Sequence, residues 1–135
     1  HVPAAAMATA FAEIHRVLKP GGLAYLSEPV FAGAFNDIMR LFHDEQRVRQ
    51  LAFDAIVAAV TSGLFSLREE YFFRNVIRMT SWDQYEAGVL GVSHTNHTLT
   101  PTVYAEVKRR FLSAGSAAGY VFEIPNRVDL LQKKA

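Results

Sequence analysis

The sequence predicts an α/β fold with helices covering a small sheet. Apolar residues recur at helical spacing over residues 4–18 and, in two phases, over 34–61, whereas they alternate with polar ones over 71–80. Between these segments stand Pro20-Gly21-Gly22, Ser62-Gly63 and Thr100-Pro101, residues that end or open helices.

The first helix, over residues 4–18, turns Met7, Ala10, Phe11, Ile14, Val17 and Leu18 to one side. Arg16 and Lys19 suit the negative end of its dipole, Pro20 cannot continue it, and Gly21-Gly22 permits a sharp turn. Strand 23–30 follows. From Ala34 to Thr61 the stripe Phe35, Ile38, Met39, Phe42 is broken at His43-Asp44-Glu45-Gln46-Arg47 and resumes out of phase, which predicts two helices or one bent near 43–49. Residues 71–80 alternate as a strand. Ser81 with Gln84 forms a capping box for a short helix to about Leu90, and Gly91–Leu99 is a polar loop. Thr100 caps a further helix with Pro101 at its first position. Residues 120–131 form a last strand or pair of strands, interrupted at Pro125-Asn126, and the tail from Gln132 is expected to be loose.

Composition excludes several classes of function. Fourteen basic and thirteen acidic residues nearly cancel, and no basic run exceeds Lys108-Arg109-Arg110, so no nucleic-acid partner is expected. No apolar run approaches the roughly 20 residues that span a bilayer, so no membrane partner is expected either. The absence of cysteine removes thiolate chemistry and agrees with a cytoplasmic protein.

Glu13-Ile14-His15-Arg16-Val17-Leu18-Lys19-Pro20-Gly21-Gly22, with Leu23-Ala24-Tyr25-Leu26 behind it, resembles the passage into the fifth strand of class I S-adenosylmethionine (SAM)-dependent methyltransferases. The similarity is greatest to the small-molecule branch that includes the ubiquinone and menaquinone methylases. The resemblance implies that residues 1–135 are the C-terminal part of a Rossmann-like methyltransferase domain, with the SAM-binding half absent. Strands 23–30, 71–80 and 120–131 would then be the fifth, sixth and seventh, the last inserted antiparallel between the other two. Pro125 departs from that pattern, because proline cannot donate within a central strand. Residues 31–66 would be the helical insertion that lids the acceptor pocket.

The family holds SAM with a Gly-rich turn after its first strand, where backbone N–H groups approach the cofactor. No G-x-G occurs in this sequence. SAM therefore belongs to the parent enzyme, and this chain alone is expected to bind no cofactor. On the cofactor side the resemblance carries over only His1 and Val2. On the acceptor side Phe31, Phe35, Met39, Phe42 and Phe65 either line an apolar cavity or pack the core. Glu28, at the carboxyl end of strand 23–30, is the best polar candidate for the acceptor, or is satisfied by a helix N-terminus. His94 and His97 are candidate bases or plain surface residues; with no acidic or cysteine partner nearby, no metal is expected.

Three functional readings follow. The chain is a fragment, inactive alone, of an enzyme that methylates a small-molecule acceptor; or a non-catalytic dimerisation or ligand-binding module; or an active half completed by another chain. Without strands one to four, strand 23–30 would lie at a sheet edge, and a homodimer that hides this region by strand pairing, helix packing or exchange of the N-terminal helix is expected.

Overall fold

The structure, a computed structural model, describes residues 2–92 and 99–135. Three strands form one sheet, and the last in sequence lies in the middle. β1 is Leu23–Pro29, β2 Phe65–Met79 and β3 Tyr120–Lys133, in the order β1-β3-β2. β1 and β3 are antiparallel, in register from Leu23 opposite Gln132 to Pro29 opposite Asn126. β2 also runs against β3: Arg74 reaches Glu123, whereas Glu70, earlier in β2, meets Asp129, later in β3. The helices are α1 (Met7–Val17), α2 (Ala34–Met39), α3 (Gln46–Thr61), α4 (Trp82–Tyr85) and α5 (Pro101–Ser113). A π-helical turn, Glu86–Leu90, prolongs α4.

The chain divides into two compact units, the first made of His1–Val30, Gln46–Phe73 and Asn126–Ala135, the second of Phe31–Glu45 and Arg74–Pro125. In the first, α1 and α3 cover a core of Ala24, Ile56, Ala59, Phe65 and Leu131, with Phe11, Ile14 and Leu18 packed against it. Of the apolar stripe read on residues 4–18, Met7, Ala10, Phe11, Ile14 and Leu18 are half-buried, whereas Val17 is 65% exposed. In the second unit the core is largely aromatic: Phe35, Phe42, Trp82, Tyr85, Phe111 and Phe122, with Ile38, Leu90 and Val107. Phe111 stacks on Tyr120 at 4.2 Å between ring centres and tilts against Tyr85 at 4.8 Å, separations at which such rings attract.

The turn after α1 is tied to the far end of the chain. Leu18 leaves the helix in extended conformation, Gly21 takes φ +76°, and a Cβ on Gly22 would stand 2.8 Å from the Lys19 carbonyl oxygen. Gly21 N donates to Lys133 O, and Lys133 N donates to Gly22 O. The Lys133 ammonium donates to the His15 and Leu18 carbonyls at 2.8 and 2.9 Å. It thereby occupies the end of α1 where carbonyls lack helical partners and the dipole favours a cation. Arg16 instead pairs with Glu13 on the surface.

Both predicted caps are present. Ser81 Oγ accepts from Gln84 N, and Gln84 Oε1 accepts from Thr80 N. Thr100 Oγ1 accepts from Val103 N, with Pro101 opening α5. The helical stretch over 34–61 is two helices, broken between Met39 and Gln46.

Three sequence readings need correction. The strand expected over 71–80 starts at Phe65; Arg68-Glu69-Glu70 resembles a solvated loop, yet such charges are normal on an edge strand. The tail is not loose at Gln132 and Lys133, which belong to β3 and close the α1 turn. β3 is continuous through Pro125 and Asn126. Register explains this. Lys133 N bonds to Gly22 O, so every second residue before Lys133, down to Pro125, directs its backbone groups toward β1. Pairing with β1 stops at Asn126, so the missing N–H of Pro125 removes no ladder bond.

Gly22→Ala should destabilise the protein by about 1–3 kcal/mol, because the new methyl meets a backbone oxygen that cannot step aside. Gly88→Ala, whose methyl meets nothing within 4 Å, should be neutral or slightly stabilising. Urea midpoints measure both; equal responses would contradict the tight turn.

Candidate functional site

The carboxyl end of β1, where open α/β sheets present ligands, carries a cluster of charged side chains within the first unit. Arg127 and Asp129 stand two apart on β3 and so share a face, and Arg127 lies directly opposite Glu28 of β1. Arg127 Nε donates to Asp129 Oδ2 at 2.8 Å, with the two side chains 16% and 2% exposed. The guanidinium lies 4.0 Å above the Phe53 ring of α3, a cation–π contact that holds it in place. Glu70 of β2 shares a hydrogen bond with Asp129 from the other side. Just past β1, Arg49 Nη1 donates to the Val30 carbonyl at 3.1 Å.

A carboxylate as buried as Asp129 is tolerable only when paired, and Arg127 supplies the pair. Glu70 has its carboxyl raised above the usual range. Partial desolvation is the largest cause, the hydrogen bond and the charge of Asp129 add to it, and Arg127 opposes it. A hydrogen-bonded pair of carboxyl groups beside a cation is an arrangement that general acid–base chemistry can use.

A second feature of the same unit is an apolar cleft of about 350 Å³ between α1 and α3. Met7 and Phe11 form one wall, Leu51 and Ala55 the other, with Leu64 and Ser62 at one end. No titratable side chain is among its described lining residues, and its walls suit an apolar group. In the second unit Tyr104 OH donates to the Glu86 carboxylate and accepts from Trp82 Nε1 at 3.3 Å. The bond to Glu86 holds the Tyr104 phenol above its ordinary pKa. Tyr85 OH is fully buried and has no partner among the described residues; burial alone pushes its pKa up strongly.

The residues selected from sequence are scattered. Glu28 is half-buried and belongs to the charged cluster. Phe35 and Phe42 are core residues of the second unit, with Met39 packed against them. Phe31 lies beneath Arg40, 5.3 Å from its guanidinium. Phe65 lies in the first unit's core. Val2 is exposed. His1, His94 and His97 lie outside the described residues. Residues 31–45 fall in the second unit and 46–66 in the first. Among the described residues no three histidine, aspartate or glutamate side chains are placed to hold a metal, and no helix is long and apolar enough to cross a membrane.

Arg127, Asp129, Glu70 and Phe53 were missed. Arg127-Val128-Asp129-Leu130-Leu131 did carry a signal, since two charges inside an apolar strand must be compensated on one face. Glu70 carried none, because its strand and register were unknown.

Glu70 sets a pH dependence with a definite sign. Its folded carboxyl is raised, so the protonated form favours the fold. That contribution is complete below the unfolded value near 4.5 and is lost as pH rises through the folded value. Urea midpoints of the native protein, relative to Glu70→Gln, should therefore fall as pH rises from 4.5 toward 7. A relative rise over that window would contradict the carboxyl pair.

No protein-family model matches the sequence, and no curated protein is significantly similar to it. Among solved structures, a putative methyltransferase from Bacillus halodurans C-125 shares the fold, with a TM-score of 0.51 and 13% sequence identity. The match covers 95% of this chain and 58% of that one, so this chain spans less than two thirds of the similar protein. At that identity the likeness is one of fold: an α/β arrangement of three antiparallel strands and covering helices, as in part of a methyltransferase-like domain.

Proposed function

We propose that this chain is the acceptor-side part of a SAM-dependent methyltransferase that acts on a small molecule, and that it is inactive alone. The strand order carries the reading. The last strand stands between the other two and runs antiparallel to them, the arrangement that the resemblance of residues 13–26 implies for strands five to seven. Fold likeness to the Bacillus protein supports the same assignment.

The residues present do not fit SAM. Gly33 is the lone glycine between β1 and α2, and no G-x-G turn accompanies it, so no paired backbone N–H groups approach a cofactor. Methyl transfer therefore takes its cofactor from elsewhere in the parent. This part's contribution is to place the acceptor, which is worth a large share of the barrier in a displacement that depends on proximity and orientation. Glu28 and the Glu70–Asp129 pair are the polar groups for that task, with Arg127 positioning Asp129.

Equilibrium dialysis with labelled SAM tests the reading. The 135-residue chain should show no saturable binding at millimolar ligand. The product of the complete reading frame should bind SAM and release it to S-adenosylhomocysteine. Failure of the complete product to bind would contradict the methyltransferase reading; displaceable binding by the short chain would contradict its inactivity alone.

A further inference from the structure

We infer that Phe53 is a positioning residue: its ring seats the Arg127 guanidinium against Asp129 and so keeps the Glu28 carboxylate unpaired, as placing an acceptor through its N–H or O–H requires. The inference rests on the reading of Glu28 as a group that places the acceptor.

Arg127 has two carboxylates near it, and the backbone brings closer the one it does not take. Glu28 of β1 lies directly opposite Arg127 of β3, on the same face of the sheet. Side chains so placed have Cβ atoms about 5 Å apart, and opposite charges there attract. Asp129 stands two residues along Arg127's own strand, about 6.8 Å away at the usual rise of a strand. Yet Arg127 Nε donates to Asp129 Oδ2 at 2.8 Å. Among the described residues the half-buried Glu28 carboxylate has neither a hydrogen bond nor an ion pair.

Two features bias the choice. Asp129 is the more deeply buried carboxylate, so its charge needs a partner more than that of Glu28 does. Phe53, on α3, presents its ring 4.0 Å from the guanidinium. A cation is drawn to an aromatic face, and most strongly where little water competes for it, as at the largely buried Arg127. A guanidinium seated there no longer samples the rotamers that would carry it across to β1. Phe53 thus acts on Glu28 through Arg127. Burial of Asp129 without the ring is the alternative, and the two differ in what loss of the ring does.

A double-mutant cycle on the 135-residue chain at neutral pH separates them. Glu28→Gln should shift the urea midpoint little in the native background. In the Phe53→Leu background, where Arg127 is released toward β1, the same change should lower the midpoint clearly. Phe53→Tyr keeps a ring and should restore the small native response. Equal shifts from Glu28→Gln in the native and Leu backgrounds would overturn the inference, since residues that do not act on each other add. In the native chain, nuclear Overhauser contacts should join the Arg127 Hδ protons to the Phe53 ring. Contacts to the Glu28 Hγ protons in their place would also overturn it, and this measurement decides should Phe53→Leu fail to fold. Neither readout involves SAM, so either can fail while the SAM-binding test succeeds, and the reverse.

Discussion

Everything in this fold depends on the last strand lying in the middle. β1 and β2 are not neighbours in the sheet; each pairs with β3, across which the Tyr71 hydroxyl donates to that of Tyr25 at 3.4 Å. The first unit's core takes Leu131 from β3, and the second unit's takes Phe122. Lys133, at the end of the same strand, satisfies the carbonyls that close α1. A chain that places its most connected strand last must bring residues about 100 apart in sequence together before the sheet exists, which favours slow, cooperative folding over stepwise assembly.

The charged cluster follows from the same strand. A buried aspartate in a central position costs several kcal/mol unless its charge is met. Here Arg127 meets it from two residues away, with the guanidinium fixed over Phe53. Partial desolvation, with the hydrogen bond and charge of Asp129 added to it, raises the Glu70 carboxyl above the usual range. The result is a cluster of charged side chains close to the carboxyl end of β1. The apolar cleft of the same unit has no titratable side chain among its described lining residues and suits an apolar group.

Much of the fold was legible in the sequence, for local reasons. The apolar stripe of α1, the break between α2 and α3, the caps at Ser81 and Thr100 and the turn at Gly21-Gly22 each come from chemistry within a few residues. What could not be read was long-range. β2 was shortened because Arg68-Glu69-Glu70 is polar on both faces, and only its edge position explains that. Pro125 seemed to forbid a continuous strand until the register showed that β1 ends one residue away. In the charged cluster Glu28 was selected from its place on β1, whereas Arg127, Asp129 and Glu70 meet only through pairings between distant segments. The aromatic residues of 31–45 read equally as pocket or core, and Phe35 and Phe42 lie in the core.

The central position of β3 is tested most directly by residue-resolved amide hydrogen exchange. A strand paired on both sides uses every N–H, whereas an edge strand uses alternate ones. Consecutive slow amides from Asn126 to Leu131 would be the result expected here. Alternating slow and fast amides along that segment would mean that β3 is an edge strand, and would contradict the account.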